Sequence, residues 1–487
     1  MMLSLNIVPK LSMALFITAA MLLLVPNYPV LVLAAAIGTG VGVALLYLIV
    51  DERDALRFSW VLAASLIVAY AGGTLSTWLN SLSFDDFTYL TKQRPLGLLC
   101  GALGFVYIST GIILVVGQFE SPVFRSEDEL PADTRFSVVL SSIGLALIVL
   151  AYLTGDLGYE GVKADALSQR IPVLGAIATL IAAPLAGLFG YMYGRFDAKI
   201  FRLYSMLGGG GVILSIIPSG RRQVILALIV LVLGYALSGA LRQRSLLQKM
   251  LLAAAILSIG FLVSAYFFAL RLSVWELGPT SSFSNQLSLA FDFMTSTTLE
   301  GRFNALLYDN LRERTFVLGY LADLIEATRT SGPLYGEAFM FYLKLSIPSV
   351  LDPSKVDVLA IQQIESFAHP KLGLPVIDQA NTILTDGVTD FGVIGGFIYL
   401  SGIVVMLRGG IWFLRKFYRP FTFLIASLTL VHLALKPEIT LSEYFVTLRN
   451  LIWVVPLLFV CEYIWGSTLE HESPKLHDSP RLYDLGE

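Results

Sequence analysis

Two adjacent arginines, Arg221 and Arg222, stand directly before a long apolar run, in the segment Ser219-Gly220-Arg221-Arg222. A guanidinium matches phosphate oxygens, and the first turn of a helix presents unpaired N–H groups that favour an anion. Ser219 has a side chain suited to cap that helix. The segment therefore predicts an anion site, for which a lipid-linked pyrophosphate is a natural ligand. The alternative is that both arginines simply lie among lipid headgroups.

Carboxylates and one imidazole supply further candidates for chemistry. Residues 375–396, PVIDQANTILTDGVTDFGVIGG, lead into an apolar run. A carboxylate at a membrane surface can act as a general base or orient sugar hydroxyls, and it can equally mark the end of a span. One histidine supports no metal site. The candidates are Asp378, Asn381, Asp386 and Asp390, with His369 shortly before them.

Three more arginines lie on a predicted amphipathic helix. Apolar side chains recur at intervals of three and four over residues 302–330, and Ser331-Gly332-Pro333 ends the pattern. Residues 335–345 predict a second short helix. Both helices are expected to lie on the membrane surface and roof a cavity. A charged helix face is most often only solvated, and the alternative is that it binds an anion through Arg302, Arg312 and Arg314.

Membrane helices must position these residues. The 487-residue chain is 56% hydrophobic and 14% charged, against about 25% charged in soluble proteins, which excludes an ordinary soluble fold. A formal net charge of -3 with dispersed basic residues does not indicate nucleic acid as a partner. Apolar runs that fit a bilayer core of about 30 Å predict an all-α polytopic membrane protein with about twelve transmembrane helices. They cover residues 11–25, 30–50, 58–78, 96–117, 137–154, 171–191, 203–217, 223–241, 250–270, 391–407, 421–435 and 451–465.

The distribution of Lys and Arg among the loops gives the orientation. Cytoplasmic loops carry the excess, and the cluster from Arg408 to Arg419 indicates that both termini are cytoplasmic. Nine spans would then occupy residues 1–270, one long outer loop residues 271–390, and three spans residues 391–465. Residues 466–487 are predicted to be a disordered cytoplasmic tail.

A run of four glycines, Gly208–Gly211, lies inside the seventh predicted span. Glycine allows helices to approach closely, and it also permits a broken helix, which membranes tolerate where the break lines a cavity or is buried. Both interpretations stay open from the sequence.

Three segments, taken in order, carry a family resemblance. They are Ser219-Gly220-Arg221-Arg222 opening a span, GEAFMFYLKLSIPSVLDPSK at 336–355, and NTILTDGVTDFGVIGG at 381–396. Together they resemble the bacterial O-antigen polymerases (Wzy-like oligosaccharide repeat-unit polymerases), which are related to O-antigen ligases. The resemblance covers roughly residues 219–465, and the N-terminal half agrees only in hydropathy.

Two departures from the family pattern bear on function. Ser349 and Asp352 stand where the family commonly has an arginine and an aromatic residue, so one expected phosphate ligand is missing. Ala380 stands where ligases usually have a histidine, which favours a polymerase over a ligase.

The resemblance implies polymerisation of undecaprenyl-diphosphate-linked oligosaccharides on the periplasmic face of a bacterial inner membrane, without a cofactor or metal. The growing glycan would move from its lipid carrier to the terminal sugar of a new unit, and arginines would neutralise the departing pyrophosphate. A flippase and a chain-length regulator are expected partners. The expected pyrophosphate ligands are Arg221, Arg222, Arg302, Arg312 and Arg314. The expected substrate contacts are Asp378, Asn381 and Lys355, and the base is expected to be Asp386, Asp390 or His369.

Two other functions stay open. A ligase would pass finished glycan to a lipid or protein acceptor. A transporter or a flippase for lipid-linked oligosaccharide belongs to a different class, in which charged residues usually lie inside spans and the two halves are pseudo-symmetric. In this sequence the charges concentrate in loops, which favours the enzyme.

Overall fold

The computed structural model describes residues 2–51, 55–81, 91, 94–125, 129–154, 172–217, 220–278, 283–295, 317–347, 351, 364–376, 380–416 and 419–472. Within these ranges the chain forms helices joined by turns and contains no strand. This confirms the all-helical class. In chain order the helices are α1 (Met2–Leu24), α2 (Tyr28–Asp51), α3 (Phe58–Leu79), α4 (Leu96–Gly117), α5 (Thr134–Leu153), α6 (Pro172–Arg195), α7 (Lys199–Ile216), α8 (Arg221–Leu237), α9 (Leu246–Leu277), α10 (Phe283–Thr295), α11 (Val317–Ser331), α12 (Glu337–Ser346), α13 (Ile364–Leu372), α14 (Ile383–Lys416), α15 (Pro420–Leu435) and α16 (Leu441–Glu472).

Nine helices in the described ranges are long and apolar enough to cross a membrane, namely α1 to α6, α9, α14 and α16. They fit a multi-pass membrane protein. The predicted count of about twelve is not confirmed, because three of the expected spans are marginal. The apolar helices α8 and α15 have only 17 and 16 residues. Lys199 and Arg202 make the first turn of α7 basic, which lowers its hydropathy.

Helices α3 and α15 form the centre of the bundle. Every residue from Phe421 to Leu435 is buried, as is every residue of the first part of α3, from Phe58 to Ile67. Both helices are apolar on all sides, and a helix of that kind is stable only when other helices surround it.

The helix that begins with the arginine pair is fixed by glycine contacts. A Cβ added at Gly190 of α6 would meet the Leu231 carbonyl oxygen of α8 at 1.9 Å, and one at Gly234 of α8 would meet the Gly187 carbonyl oxygen at 1.8 Å. The two backbones therefore touch, as small residues allow in membranes. This contact sets the position of α8 and of the arginines at its start.

The glycine run of α7 does not break the helix. Gly208 and Gly209 are buried, and a Cβ added at Gly208 would meet the Phe189 ring at 2.3 Å. The run is therefore a packing surface against α6, which decides between the two interpretations given by the sequence.

The break occurs instead in α14, at Phe391 and Gly392. Gly392 has φ 64° and ψ −156°, a conformation that essentially only glycine adopts. The chain bends so sharply that a Cβ added at Gly387 would meet the Gly395 carbonyl oxygen at 2.3 Å. A short helical piece, residues 383–390, thus lies beside the start of the long span that follows it.

Helix α11 is buried, whereas the sequence predicted a helix on the membrane surface. Val317, Leu318, Leu321 and Leu324 are all 4% exposed or less, and the helix packs against α4, α13 and α14. Asp323 accepts two hydrogen bonds from Arg94, at 2.7 and 2.6 Å, which bind α11 to the start of α4. The helix is thus part of the core.

Two predicted boundaries also change. The second short helix, predicted at 335–345, is present as Glu337–Ser346. Residues 466–472, which were expected to belong to the tail, are the last residues of α16. Residues 473–487 lie outside the described part of the chain.

Candidate functional site

Asp390 binds the N-terminus of another helix. Its carboxylate accepts hydrogen bonds from the backbone N–H of Ala338 at 2.8 Å and of Phe339 at 2.7 Å, in the first turn of α12. Tyr399 donates a third hydrogen bond. Asp390 is fully buried, and its charge lies where the helix dipole favours an anion. Its contacts are therefore those of a helix cap.

Asp386, one turn earlier, connects α12 to α16. Tyr342 of α12 donates to Oδ1 of Asp386 at 2.5 Å, and the N–H of Leu441, the first residue of α16, donates to Oδ2 at 2.8 Å. Burial raises the pKa of Tyr342 well above the usual tyrosine value, and the Asp386 carboxylate raises this pKa further. The hydroxyl therefore keeps its proton and donates it to the hydrogen bond.

His369 is a buried core histidine with both ring nitrogens bonded. Nδ1 lies 2.6 Å from the Pro375 carbonyl oxygen, and because a carbonyl only accepts, Nδ1 carries the hydrogen. Nε2 lies 3.0 Å from the Tyr320 hydroxyl and accepts from it when the ring is neutral. Burial raises the pKa of Tyr320 well above the usual value, and Glu365 and Asp386 add to that shift.

The start of α14 is fixed by polar contacts with α3 and α13. Asn381 donates to Glu365 at 2.5 Å. Thr382 and Thr385 cap the helix by exchanging backbone-to-hydroxyl hydrogen bonds at 2.7 and 3.2 Å. The Thr382 hydroxyl also lies 2.7 Å from the hydroxyl of Tyr70, which is in a π-helical turn at Val68–Gly72. Such turns often occur at functional sites.

Arg222 pairs with a carboxylate in the described structure. Its guanidinium donates to the Glu438 carboxylate and, at 3.1 Å, to the Glu438 carbonyl oxygen. The side chain is 50% exposed, so part of it is open to a ligand. Gly220, with φ 109°, occupies the N-cap position of α8. The side chain of Arg221 and all of Ser219, which was predicted to be the N-cap, lie outside the described part.

The structure thus brings five of the predicted residues into one region, namely Asp386, Asp390, His369, Asn381 and Arg222. The others lie outside the described residues: Arg302, Arg312, Arg314, Asp378, Lys355 and the side chain of Arg221. The same network also contains residues that the sequence did not single out, among them Tyr70, Tyr320, Tyr342, Tyr399, Glu365 and Glu438. An aromatic or acidic residue in an apolar stretch gives no local signal, although Tyr342 lies within the 336–355 segment.

The chemistry of this region is that of carboxylates, phenols and guanidinium groups. Within the described ranges no group of three His, Cys, Asp or Glu side chains is arranged to hold a metal ion. Comparisons with protein-family models, curated proteins and solved structures find no match. The residues of this chain therefore carry the functional proposal by themselves.

Proposed function

We propose that the protein is a membrane glycosyltransferase that polymerises undecaprenyl-diphosphate-linked oligosaccharide units for a surface polysaccharide. The growing glycan is transferred from its lipid carrier to the terminal sugar of a new lipid-linked unit, on the outer face of a bacterial inner membrane.

One observation supports this proposal above the others: the three segments that resemble the polymerase family are joined by a short chain of contacts. Arg222 bonds Glu438, which lies three residues before Leu441. The Leu441 N–H bonds Asp386, and Asp386 bonds Tyr342 of α12. Segments far apart in the sequence thus meet in the folded protein.

The chemistry required is displacement at an anomeric carbon through an oxocarbenium-like transition state. A lipid pyrophosphate is a good leaving group once its charge is neutralised, which Arg221 and Arg222 can do through fixed electrostatics. Asp386 is the base we favour, because in the described structure its Oδ1 accepts only from the Tyr342 hydroxyl, which an acceptor hydroxyl can replace. Each oxygen of Asp390 accepts from a backbone N–H, and the Tyr399 hydroxyl shares Oδ2 with one of them. His369 is enclosed on both sides.

The test separates ligand binding by Arg222 from its ion pair with Glu438. The variants Arg222→Gln and Glu438→Gln both break the ion pair, but only the first removes the guanidinium. In a deletion strain carrying each variant, R222Q should shorten the surface polysaccharide to single units, and E438Q should leave long chains. Equal chain lengths in the two variants at equal protein level would contradict the role of Arg222.

A transporter or a flippase is the second candidate, favoured by one observation. Helix α14 is broken at Gly392, beside the buried carboxylates Asp386 and Asp390, and broken helices with buried charges are typical of transporters. Movement of a fluorescent lipid-linked oligosaccharide across proteoliposomes that contain only this protein would support transport. The ligase alternative predicts a different glycan profile in the deletion strain, with loss of the mature conjugate while long lipid-linked polymer accumulates.

A further inference from the structure

Arg449 on α16 holds a positive charge that no carboxylate offsets within the described structure. Its guanidinium donates to the Ser346 carbonyl oxygen at 2.5 Å and to Oδ1 of Asn450 at 3.2 and 3.0 Å. Both acceptors are neutral. Ser346 ends α12, so its carbonyl carries part of the helix dipole, equivalent to about half a negative charge. Within the described structure the charge of Arg449 is therefore offset by neutral acceptors and not by an anion.

Other basic side chains of this region are paired differently. Three of them bond a carboxylate, in the pairs Arg222–Glu438, Lys436–Glu443 and Lys371–Glu337. A fourth, Lys344, lies in the same last turn of α12 as Ser346, is exposed, and forms no side-chain hydrogen bond or ion pair in the described part of the chain. Arg449 and Lys344 thus place two cationic groups at one end of α12.

The position of Arg449 matches the depth of lipid phosphates. It lies three residues before the first of the exposed apolar side chains of α16, which are Ile452, Trp453 and Leu457. A span needs its apolar side chains in the hydrocarbon core, so the residue before them lies at the headgroup level.

Helix α12 adds an apolar surface beside these cations. Phe339, Met340 and Leu343 are large apolar side chains, and each is more than one third exposed. An amphipathic helix of this kind lies in the membrane interface with its apolar side toward the acyl chains. Charge and apolar surface are therefore adjacent, as a phosphate joined to a hydrocarbon tail requires.

We propose that Arg449 and Lys344 bind the phosphate group of a lipid, whose hydrocarbon chain lies along the exposed apolar side chains of α12. Identification of that lipid as the lipid-linked substrate rests on the proposed glycosyltransferase function. The binding itself does not.

The test measures binding without glycan transfer. The probe is farnesyl diphosphate, titrated onto the full-length protein in phosphatidylcholine nanodiscs and followed by tryptophan fluorescence. Arg449→Gln should weaken binding about 10- to 100-fold, the effect of losing charge-assisted hydrogen bonds to phosphate. Arg329→Gln is the matched control, because Arg329 is 75% exposed and, among the described residues, pairs with Glu326 of the same helix. Binding by R329Q should equal that of the wild type.

Two further measurements test the separate parts of the site. Lys344→Gln changes an exposed side chain, and it should weaken binding about threefold even if R449Q fails to fold. Inorganic pyrophosphate should compete at least tenfold less well than farnesyl diphosphate, because it has no hydrocarbon chain. Unchanged farnesyl diphosphate binding by both folded R449Q and K344Q would overturn the proposal. Equal competition by inorganic pyrophosphate would overturn the role of a lipid.

These outcomes are distinguishable from failure of the proposed function. If R449Q loses farnesyl diphosphate but the deletion strain makes normal polysaccharide, the lipid site stands and the polymerase proposal fails. If R449Q binds farnesyl diphosphate normally and R222Q still loses the long polysaccharide, the polymerase proposal stands and the lipid site fails.

Discussion

Replacing Asp390 by asparagine should destabilise the protein by disconnecting α12 from α14. The two carboxylate oxygens accept from different backbone groups, Oδ1 from Ala338 and Oδ2 from Phe339, while Tyr399 also donates to Oδ2. An asparagine has only one side-chain oxygen. Whichever way the amide is oriented, its NH2 group faces an N–H donor and leaves that donor unpaired in a buried place.

The magnitude follows from these contacts. A hydrogen bond to a charged group contributes about 1.5–3 kcal/mol, and a charge at a helix N-terminus about 0.3–1 kcal/mol. We therefore expect D390N to lower the free energy of unfolding by about 2–4 kcal/mol. Glu337→Gln is the matched control, because it removes a carboxylate from the same helix end. Glu337 is 55% exposed and pairs with Lys371, so its loss should cost less than about 1 kcal/mol.

The two cysteines provide the assay. Cys100 is fully buried and Cys461 is exposed, so a thiol-reactive fluorogenic dye reports unfolding through Cys100 once Cys461 has been replaced by serine. D390N and E337Q should be measured in this background, in the same detergent and at the same protein concentration. If D390N unfolds at the same temperature as E337Q, Asp390 does not hold the two helices together and its assignment as a helix cap is wrong.

Two further predictions follow from the same region. Gly387→Ala should lower the free energy of unfolding by about 1–3 kcal/mol, because the added Cβ meets the Gly395 carbonyl oxygen. Gly402→Ala is the control in the same helix: its Cβ meets no atom within 4 Å, and it should raise the free energy of unfolding by up to about 1 kcal/mol. The same dye assay measures both variants. The pKa of Tyr342 is higher in the folded protein than in the unfolded chain, where it has the usual tyrosine value of about 10. This difference contributes its full stabilisation below about pH 10, and the contribution is lost as the pH rises further, because Tyr342 of the unfolded chain then ionises first. The unfolding temperature should therefore fall as the pH is raised from about 9 to about 11, and it should fall less steeply with pH in Tyr342→Phe. An equally steep fall in this variant would contradict the raised pKa of Tyr342.

The sequence predicts where the helices of this protein lie along the chain better than it predicts what surrounds them. Apolar runs locate α2 to α6 within a few residues, because the bilayer demands a length that can be read directly from the chain, whereas α1 begins well before its predicted start at residue 11. Burial within the bundle is not encoded in the same way. Helix α11 shows an apolar pattern that suits a membrane surface, yet it is enclosed by other helices. Only the tertiary structure distinguishes the two, since both remove apolar side chains from water.

Glycine shows the same limit. Four consecutive glycines in α7 left a break and a packing contact equally open, and α7 is continuous there, whereas α14 breaks at the single Gly392. A run of glycines lowers helix stability at every position, yet packing against Phe189 outweighs that cost. A break requires a backbone conformation that the surroundings impose, as the hydrogen bonds from Leu334 and Tyr335 to the carbonyls of Thr389 and Asp390 do here.

The polar candidates raise a sharper question, because a base and a helix cap use the same carboxylate. Asp386 and Asp390 are four residues apart and lie on one helix face, where two like charges would repel each other. The hydrogen-bond donors on each carboxylate offset this repulsion, and they differ between Asp386 and Asp390. Nothing can substitute for the backbone N–H groups on Asp390 without moving α12. Displacing the Tyr399 hydroxyl from Oδ2 of Asp390 would still leave that oxygen bonded to the Phe339 N–H. Oδ1 of Asp386 accepts only from the Tyr342 hydroxyl in the described structure, and the hydroxyl of a sugar can take its place. If one of these carboxylates transfers a proton, we therefore expect it to be Asp386.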